Sequence, residues 1–159
     1  MEILDRIEDL IINFNTKGKM VAFAESCTGG FMCHMFTNIS GSSNVFERGV
    51  VCYSNQAKIE LLGVNKQDIE THGAVSEQVA KQLAQGIKEI SHVDVGIGIT
   101  GIAGPTGGTP EKPVGLVYIG FSSEEGTRVQ EHQFNANRIT FKELVLEEVL
   151  SLLENYLSR

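Results

Sequence analysis

Met20-Val21-Ala22-Phe23-Ala24, running on into Glu25-Ser26-Cys27-Thr28-Gly29-Gly30, is the stretch on which the fold turns. Five consecutive apolar residues without polar alternation read as a strand buried on both faces. The polar, glycine-containing continuation leads that strand into a second helical pattern, which runs through Met35. A buried strand feeding a helix is the building unit of a sheet covered by helices.

The flanks repeat the unit. Upstream, Ile3, Leu4, Ile7, Leu10, Ile11 and Phe14 form one stripe over residues 2–15, predicting an amphipathic first helix that Lys17-Gly18-Lys19 ends. Downstream, Gly41-Ser42-Ser43-Asn44 is a turn and Gly49 to Tyr53 a second strand. Asn55 is placed to cap a short helix that carries Lys58 and stops at Gly63. After a polar stretch closed by His72-Gly73, Ser76 caps a helix whose apolar positions are Val79, Leu83, Ile87 and Ile90, and Val93 to Thr100 is a third strand. Residues 101–113 hold too much glycine and proline for regular structure and form a long loop. Val114 to Phe121 and Arg128 to Phe134 predict an antiparallel hairpin. The last helix starts near Arg138 and is apolar on more than one face, as for burial on two sides or at a subunit interface. The expectation is an α/β fold with one domain over residues 1–159. It is a three-layer α/β/α sandwich whose mixed, mostly parallel sheet includes one antiparallel strand.

With 159 residues, 42% of them apolar, the chain can build one sizeable core. A net charge of −7 argues against nucleic acid or an anionic membrane surface as partner, so any anionic ligand needs a local pocket. Cys27, Cys33 and Cys52 form no C-x-x-C pair and no zinc-type cluster, which fits a reducing cytoplasm and predicts no metal. The first residues lack the basic start and apolar core of a signal peptide, and no apolar run reaches the roughly 18 residues of a membrane span.

Ligands of such sheets sit beyond the carboxyl ends of the strands, and three polar segments fall there: Glu25 to Gly30, Tyr53 to Lys58 and Thr100 to Pro113. Ser26, at a strand-to-helix turn, is placed to act as a nucleophile with backbone N–H groups nearby for an oxyanion, although Ser26 or Thr28 also suits a plain helix cap. Lys58 is a better candidate for its base than His34, His72, His92 or His132, which fall in helical, turn or polar-strand positions, although Lys58 also reads as an ordinary exposed helix lysine. A desolvated lysine can lose its proton near neutral pH, while an exposed helix lysine cannot. Tyr53 is positioned to donate a hydrogen bond to Lys58 or to a leaving group. Glu25 is left as structural, since a carboxylate beside Lys58 would keep the amine charged. Gly96-Ile97-Gly98-Ile99-Thr100-Gly101 imitates a dinucleotide-binding fingerprint, but these glycines lie within a strand and open no helix, so no such cofactor is expected. The glycine-rich loop and Arg138 could hold a phosphate, and Arg138 is equally readable as a surface arginine.

Ala24 to Gly30, Gly49 to Lys58, Gly73-Ala74-Val75-Ser76, Thr100 to Pro105 and Gly107 to Gly115, in this order, closely resemble the CinA C-terminal domain family of nicotinamide-nucleotide amidases. The resemblance covers nearly the whole chain. It implies an α/β/α fold and hydrolysis of the carboxamide of nicotinamide mononucleotide to nicotinate mononucleotide and ammonia, in pyridine-nucleotide salvage. It also implies no cofactor and a homo-oligomer, a dimer being favoured. By matching motif, Ser26 becomes the nucleophile, Lys58 its base, and Tyr53 and Thr100 supporting groups. Thr28, Gly29, Thr100, Gly101, Ala103, Gly104 and Arg138 become substrate contacts. The alternatives are a non-catalytic nucleotide-binding regulatory module and an amidase for another small carboxamide. The family pattern Phe-x-Gly-Asp-Arg before the last helix reads Phe134-Asn135-Ala136-Asn137-Arg138 in this chain. Longer members carry an N-terminal nucleotide-processing domain, for which 159 residues leave no room.

Overall fold

The computed structural model describes residues 2–159. The elements are α1 (Ile3–Thr16), β1 (Val21–Glu25), α2 (Phe31–Thr37), a 3-10 turn (Ser42–Asn44), β2 (Phe46–Val51), α3 (Asn55–Leu62), α4 (Lys66–His72), α5 (Glu77–Ser91), β3 (Val95–Gly101), β4 (Leu116–Ser123), β5 (Gly126–Gln133) and α6 (Arg138–Leu157). The strands form one sheet in the order β2-β1-β3-β4-β5. β1 pairs in parallel with β2 and β3, and β4 runs antiparallel to β3 and β5. The sheet is therefore mixed and mostly parallel, with β4 the one reversed strand, and helices cover both faces.

The pleat sorts the inner strands into two cores. Val21, Phe23, Val95, Ile97 and Ile99 pack with the apolar residues of α1, α2 and α6, whereas Ala22 and Ala24 pack with Leu62, Val64, Leu83 and Ile87. Small residues line the second face because α5 lies almost on the strands. A Cβ at Gly98 would come within 2.5 Å of the Ala84 nitrogen, 2.6 Å of Leu83 Cβ and 2.8 Å of the Ala80 oxygen. Gly96 and Gly120 are blocked by the same helix backbone. Gly96 and Gly98 of the pattern that imitates a dinucleotide fingerprint thus form a packing surface for α5 inside β3, while Gly101 lies against Leu116 and Val117. Gly98→Ala is expected to lower stability by about 1–3 kcal/mol through overpacking. Urea denaturation reads this directly, and an unchanged midpoint would mean that α5 yields freely.

β2 begins at Phe46, earlier than the run Gly49 to Tyr53 predicts, because the Phe46 ring lies 5.8 Å from that of Phe23 while Glu47 and Arg48 obscure the apolar pattern. Cys52 and Tyr53 then leave the sheet. The polar stretch before His72 is helix α4, capped by Asn65 and held by one buried residue, Ile69, so it has no periodicity to read. α6 is apolar around much of its circumference because it meets both β4 and α1 within this chain. Among the described residues no helix is long and apolar enough to cross a membrane.

Candidate active site

β1, β2 and β3 point the same way, and their carboxyl ends open into a cleft of about 350 Å³. Its lining includes Ser26, Lys58, Thr100, Gly104 and Arg138. A larger groove of about 600 Å³ lies between α1 and α6, lined among others by Arg6 and Glu154. Those two side chains form an ion pair, and the Ser158 hydroxyl of that groove donates to the Asn155 carbonyl at 2.8 Å.

Ser26 follows the last residue of β1, and its N–H donates to the Ile99 carbonyl at 3.1 Å, which fixes the start of the turn. Ser26 is 7% exposed and lines the cleft. Residues 26–30 form a turn, and α2 starts only at Phe31, so Ser26 is not at the helix terminus itself. The Gly29 N–H is used on the Ser26 carbonyl, while those of Cys27 and Thr28 find no acceptor among the described residues. These two N–H groups, next to the Ser26 side chain, are the candidate oxyanion donors.

Lys58 reaches Ser26 from α3. Ser54 caps that helix, its Oγ accepting from the Ala57 N–H at 3.0 Å, and places Lys58 at the end of the first turn. The lysine is 2% exposed. Its Nζ lies 3.0 Å from Ser26 Oγ, 3.0 Å from the Cys52 carbonyl and 3.0 Å from the Tyr53 carbonyl. Burial pushes the Lys58 pKa below its ordinary value. A neutral amine has two N–H groups and one lone pair, so the two carbonyls take the donors and the lone pair is left for the serine proton. The geometry that holds a charged amine by three hydrogen bonds thereby becomes, on loss of one proton, an acceptor aimed at Oγ.

The pattern of residues 5–157 matches that of the CinA C-terminal domain. The chain belongs to the CinA C-terminal domain family. A CinA-like protein of Chlorobaculum tepidum is 46% identical over 158 residues, covering 93% of this chain and 37% of that protein. A CinA-like protein of Kosmotoga olearia is 46% identical over 135 residues, covering 84% of this chain and 33% of that protein. The chain thus spans little more than a third of the length of the curated relatives it matches. Among solved structures, the competence/damage inducible protein CihA of Agrobacterium tumefaciens superimposes with a TM-score of 0.91 at 39% identity, covering 99% of this chain and 96% of that one. A competence damage-inducible protein of Klebsiella pneumoniae reaches a TM-score of 0.95 at 25% identity over 100% of this chain and 99% of that one.

Several residues of this CinA domain sit differently from the sequence expectation. Tyr53 lines the cleft and is 64% exposed, and it meets Lys58 through its carbonyl, not its phenol, where the chain leaves the sheet. Thr28 is buried and its hydroxyl donates to Glu25 at 2.7 Å, so it is engaged away from the cleft. Gly29 does not line the cleft; a Cβ there would lie 3.7 Å from Lys142 Nζ. Asn55 is the first helical residue of α3 and not its cap. Thr100 lines the cleft while its hydroxyl donates to the Ala74 carbonyl at 2.9 Å, holding one wall. Gly101, Ala103 and Gly104 line the cleft too, and Arg138 Nη1 donates to the Gly104 carbonyl at 2.7 Å. None of the four histidines lines it.

The departure at Ala136-Asn137 is absorbed locally. Asn137 caps α6 by accepting from the Thr140 N–H at 2.9 Å, a role that aspartate and asparagine share. Ala136 is not among the residues with positive φ, so no glycine is required there. Glu25 is fully buried and turned away from Lys58. Its Oε1 accepts from Thr28 Oγ1 and the Met32 N–H, at 2.7 and 3.0 Å, and its Oε2 accepts from the Cys33 N–H at 3.1 Å. Cys27, next to the serine, has its thiol pushed up to about 12 chiefly by burial, which keeps it a neutral bystander.

Proposed function

We propose that this chain hydrolyses the carboxamide of nicotinamide mononucleotide, giving nicotinate mononucleotide and ammonia, with Ser26 as nucleophile and Lys58 as general base. The observation that carries the reading is the buried Lys58 amine 3.0 Å from Ser26 Oγ, with its other two hydrogen bonds taken by carbonyls. That arrangement answers the weakness of serine as a nucleophile, which is the need for a base held within hydrogen-bond reach.

Neutral Lys58 takes the Ser26 proton as Oγ attacks the carboxamide carbon. The carbonyl π pair moves onto oxygen, where the N–H groups of Cys27 and Thr28 stabilise it, each for about 3 kcal/mol of barrier. The lysine then returns its proton to the amide nitrogen, the C–N bond breaks, and ammonia leaves an ester on Ser26. Water attacks that ester with Lys58 again as base, and the C–O bond to Ser26 breaks to release the carboxylate and restore both side chains. The apolar side chains of Ile102 and Ala103 offer a wall for a flat ring, and Arg138, with one nitrogen on Gly104, has donors left for a phosphate. This local cation accounts for anion capture by a chain of net charge −7.

The test is stoichiometric release of ammonia and nicotinate mononucleotide by the wild-type chain, with free nicotinamide as comparison. Turnover of the nucleotide with little or none of the free amide is expected. No ammonia from the nucleotide at saturating concentration would overturn the reading.

A further inference from the structure

Asn55 has a side chain without a structural task. The cap of α3 is made by Ser54, and the neighbouring Gln56 donates to Glu60 at 2.7 Å, but the Asn55 carboxamide meets no hydrogen-bond partner among the described residues. It is exposed and lines the cleft together with Ser26 and Lys58. Positions three apart share a helix face, so Asn55 stands on the Lys58 side of α3.

The sheet order fixes which side of the nucleophile it occupies. β1, which delivers Ser26, lies between β2 and β3. Asn55 follows β2, whereas Gly104 and Thr106 follow β3 and Arg138 is tied to Gly104. A ligand whose reacting amide sits on Ser26 is therefore flanked by a cation on one side and by a neutral carboxamide on the other. A carboxamide offers two donors and an acceptor and no charge, which suits a hydroxyl, itself both donor and acceptor, better than an anion.

We propose that Asn55 is a specificity-determining residue that hydrogen-bonds the sugar hydroxyls of a glycosylated amide and so selects it over amides lacking them. This rests on the amidase reading above. Binding of those hydroxyls is shared by ground and transition states, so its loss raises KM and leaves kcat nearly unchanged.

The experiment compares nicotinamide mononucleotide with its 2′,3′-dideoxy counterpart on wild type, Asn55→Ala and Asn55→Leu. The leucine variant keeps the size of the side chain without its hydrogen bonds. Wild type is expected to favour the hydroxylated substrate, and both variants to lose about 10-fold in kcat/KM on it, through KM, with the dideoxy substrate unchanged. A loss shared equally by both substrates, or one confined to kcat, overturns the proposal. If the wild type releases no ammonia from either compound, the amidase reading fails, and the same comparison is made on dissociation constants. A preference for the hydroxylated ligand that vanishes in both variants then supports Asn55 as its reader, and an unchanged preference or no saturable binding overturns it.

Discussion

Ser26→Ala is expected to lower kcat/KM for nicotinamide mononucleotide on the order of a thousandfold or more, Lys58→Met by a similar factor, and the double variant by no more than either alone. On the proposed mechanism the losses do not add because the two side chains act as one unit, the amine having no other task than the hydroxyl 3.0 Å away. Additive losses would mean that Lys58 acts on something other than Ser26. Retention of wild-type turnover by Ser26→Ala would remove the nucleophile altogether. On the same proposal this lysine sets the pH dependence. Burial holds its pKa below the ordinary lysine value, so kcat/KM should rise with pH through that depressed value as the base becomes neutral. Stability should move in the same direction. Between the folded pKa and the ordinary value the unfolded chain binds more protons than the folded one, so stability increases with pH across that window and is lost as pH falls through the folded pKa. Lys58→Met should abolish this pH-linked gain, which denaturation curves at a series of pH values would show. A wild type and a variant with parallel pH profiles would mean that folding does not depress the Lys58 pKa.

The parts of the fold visible in the sequence are those that bury a face. β1 and α5 announce themselves through unbroken or periodic apolar residues, whereas α4 stays hidden because Ile69 is its one buried anchor. In the site, Ser26 and Lys58 could be paired by placing each at a strand end. What sequence order could not supply was the route of the chain between them. Cys52 and Tyr53 turn out of the sheet, and this brings their carbonyls, not the Tyr53 phenol, to the amine. The Ser54–Asn55 pair shows a similar limit. Both are good capping residues, and only the backbone assigns the cap to Ser54 and releases Asn55 to the cleft. Glu25 could have been placed by strand parity alone. It alternates with Phe23 and Val21, so it points into the α1, α2 and α6 core and away from the α5 face.

That placement gives Glu25 the second large effect, this time on stability. The Glu25 side chain is fully buried, and its carboxylate answers two backbone N–H groups at the start of α2 and the Thr28 hydroxyl. In Glu25→Gln the shape is kept but one oxygen becomes an NH2 group. Whichever way the amide is turned, that NH2 faces the N–H of Met32 or of Cys33, and one buried donor loses its acceptor. An unpaired buried donor costs about 1–3 kcal/mol, and loss of the carboxylate from the helix start adds about 0.3–1 kcal/mol. A total of about 1.3–4 kcal/mol follows, which for a chain of this size lowers Tm by about 3–16 °C. Because the Glu25–Thr28 hydrogen bond spans the turn that carries Ser26, turnover should fall as well, yet stay far above that of Ser26→Ala, since nucleophile and base remain in place. Thr28→Val separates the two effects: it removes the hydroxyl from Glu25 while leaving both N–H groups paired, so it should cost less stability than Glu25→Gln. If Glu25→Gln melts with the wild type, the carboxylate is not what anchors the start of α2. If it loses turnover as completely as Ser26→Ala without losing stability, Glu25 belongs to the chemistry and not to the scaffold beneath it.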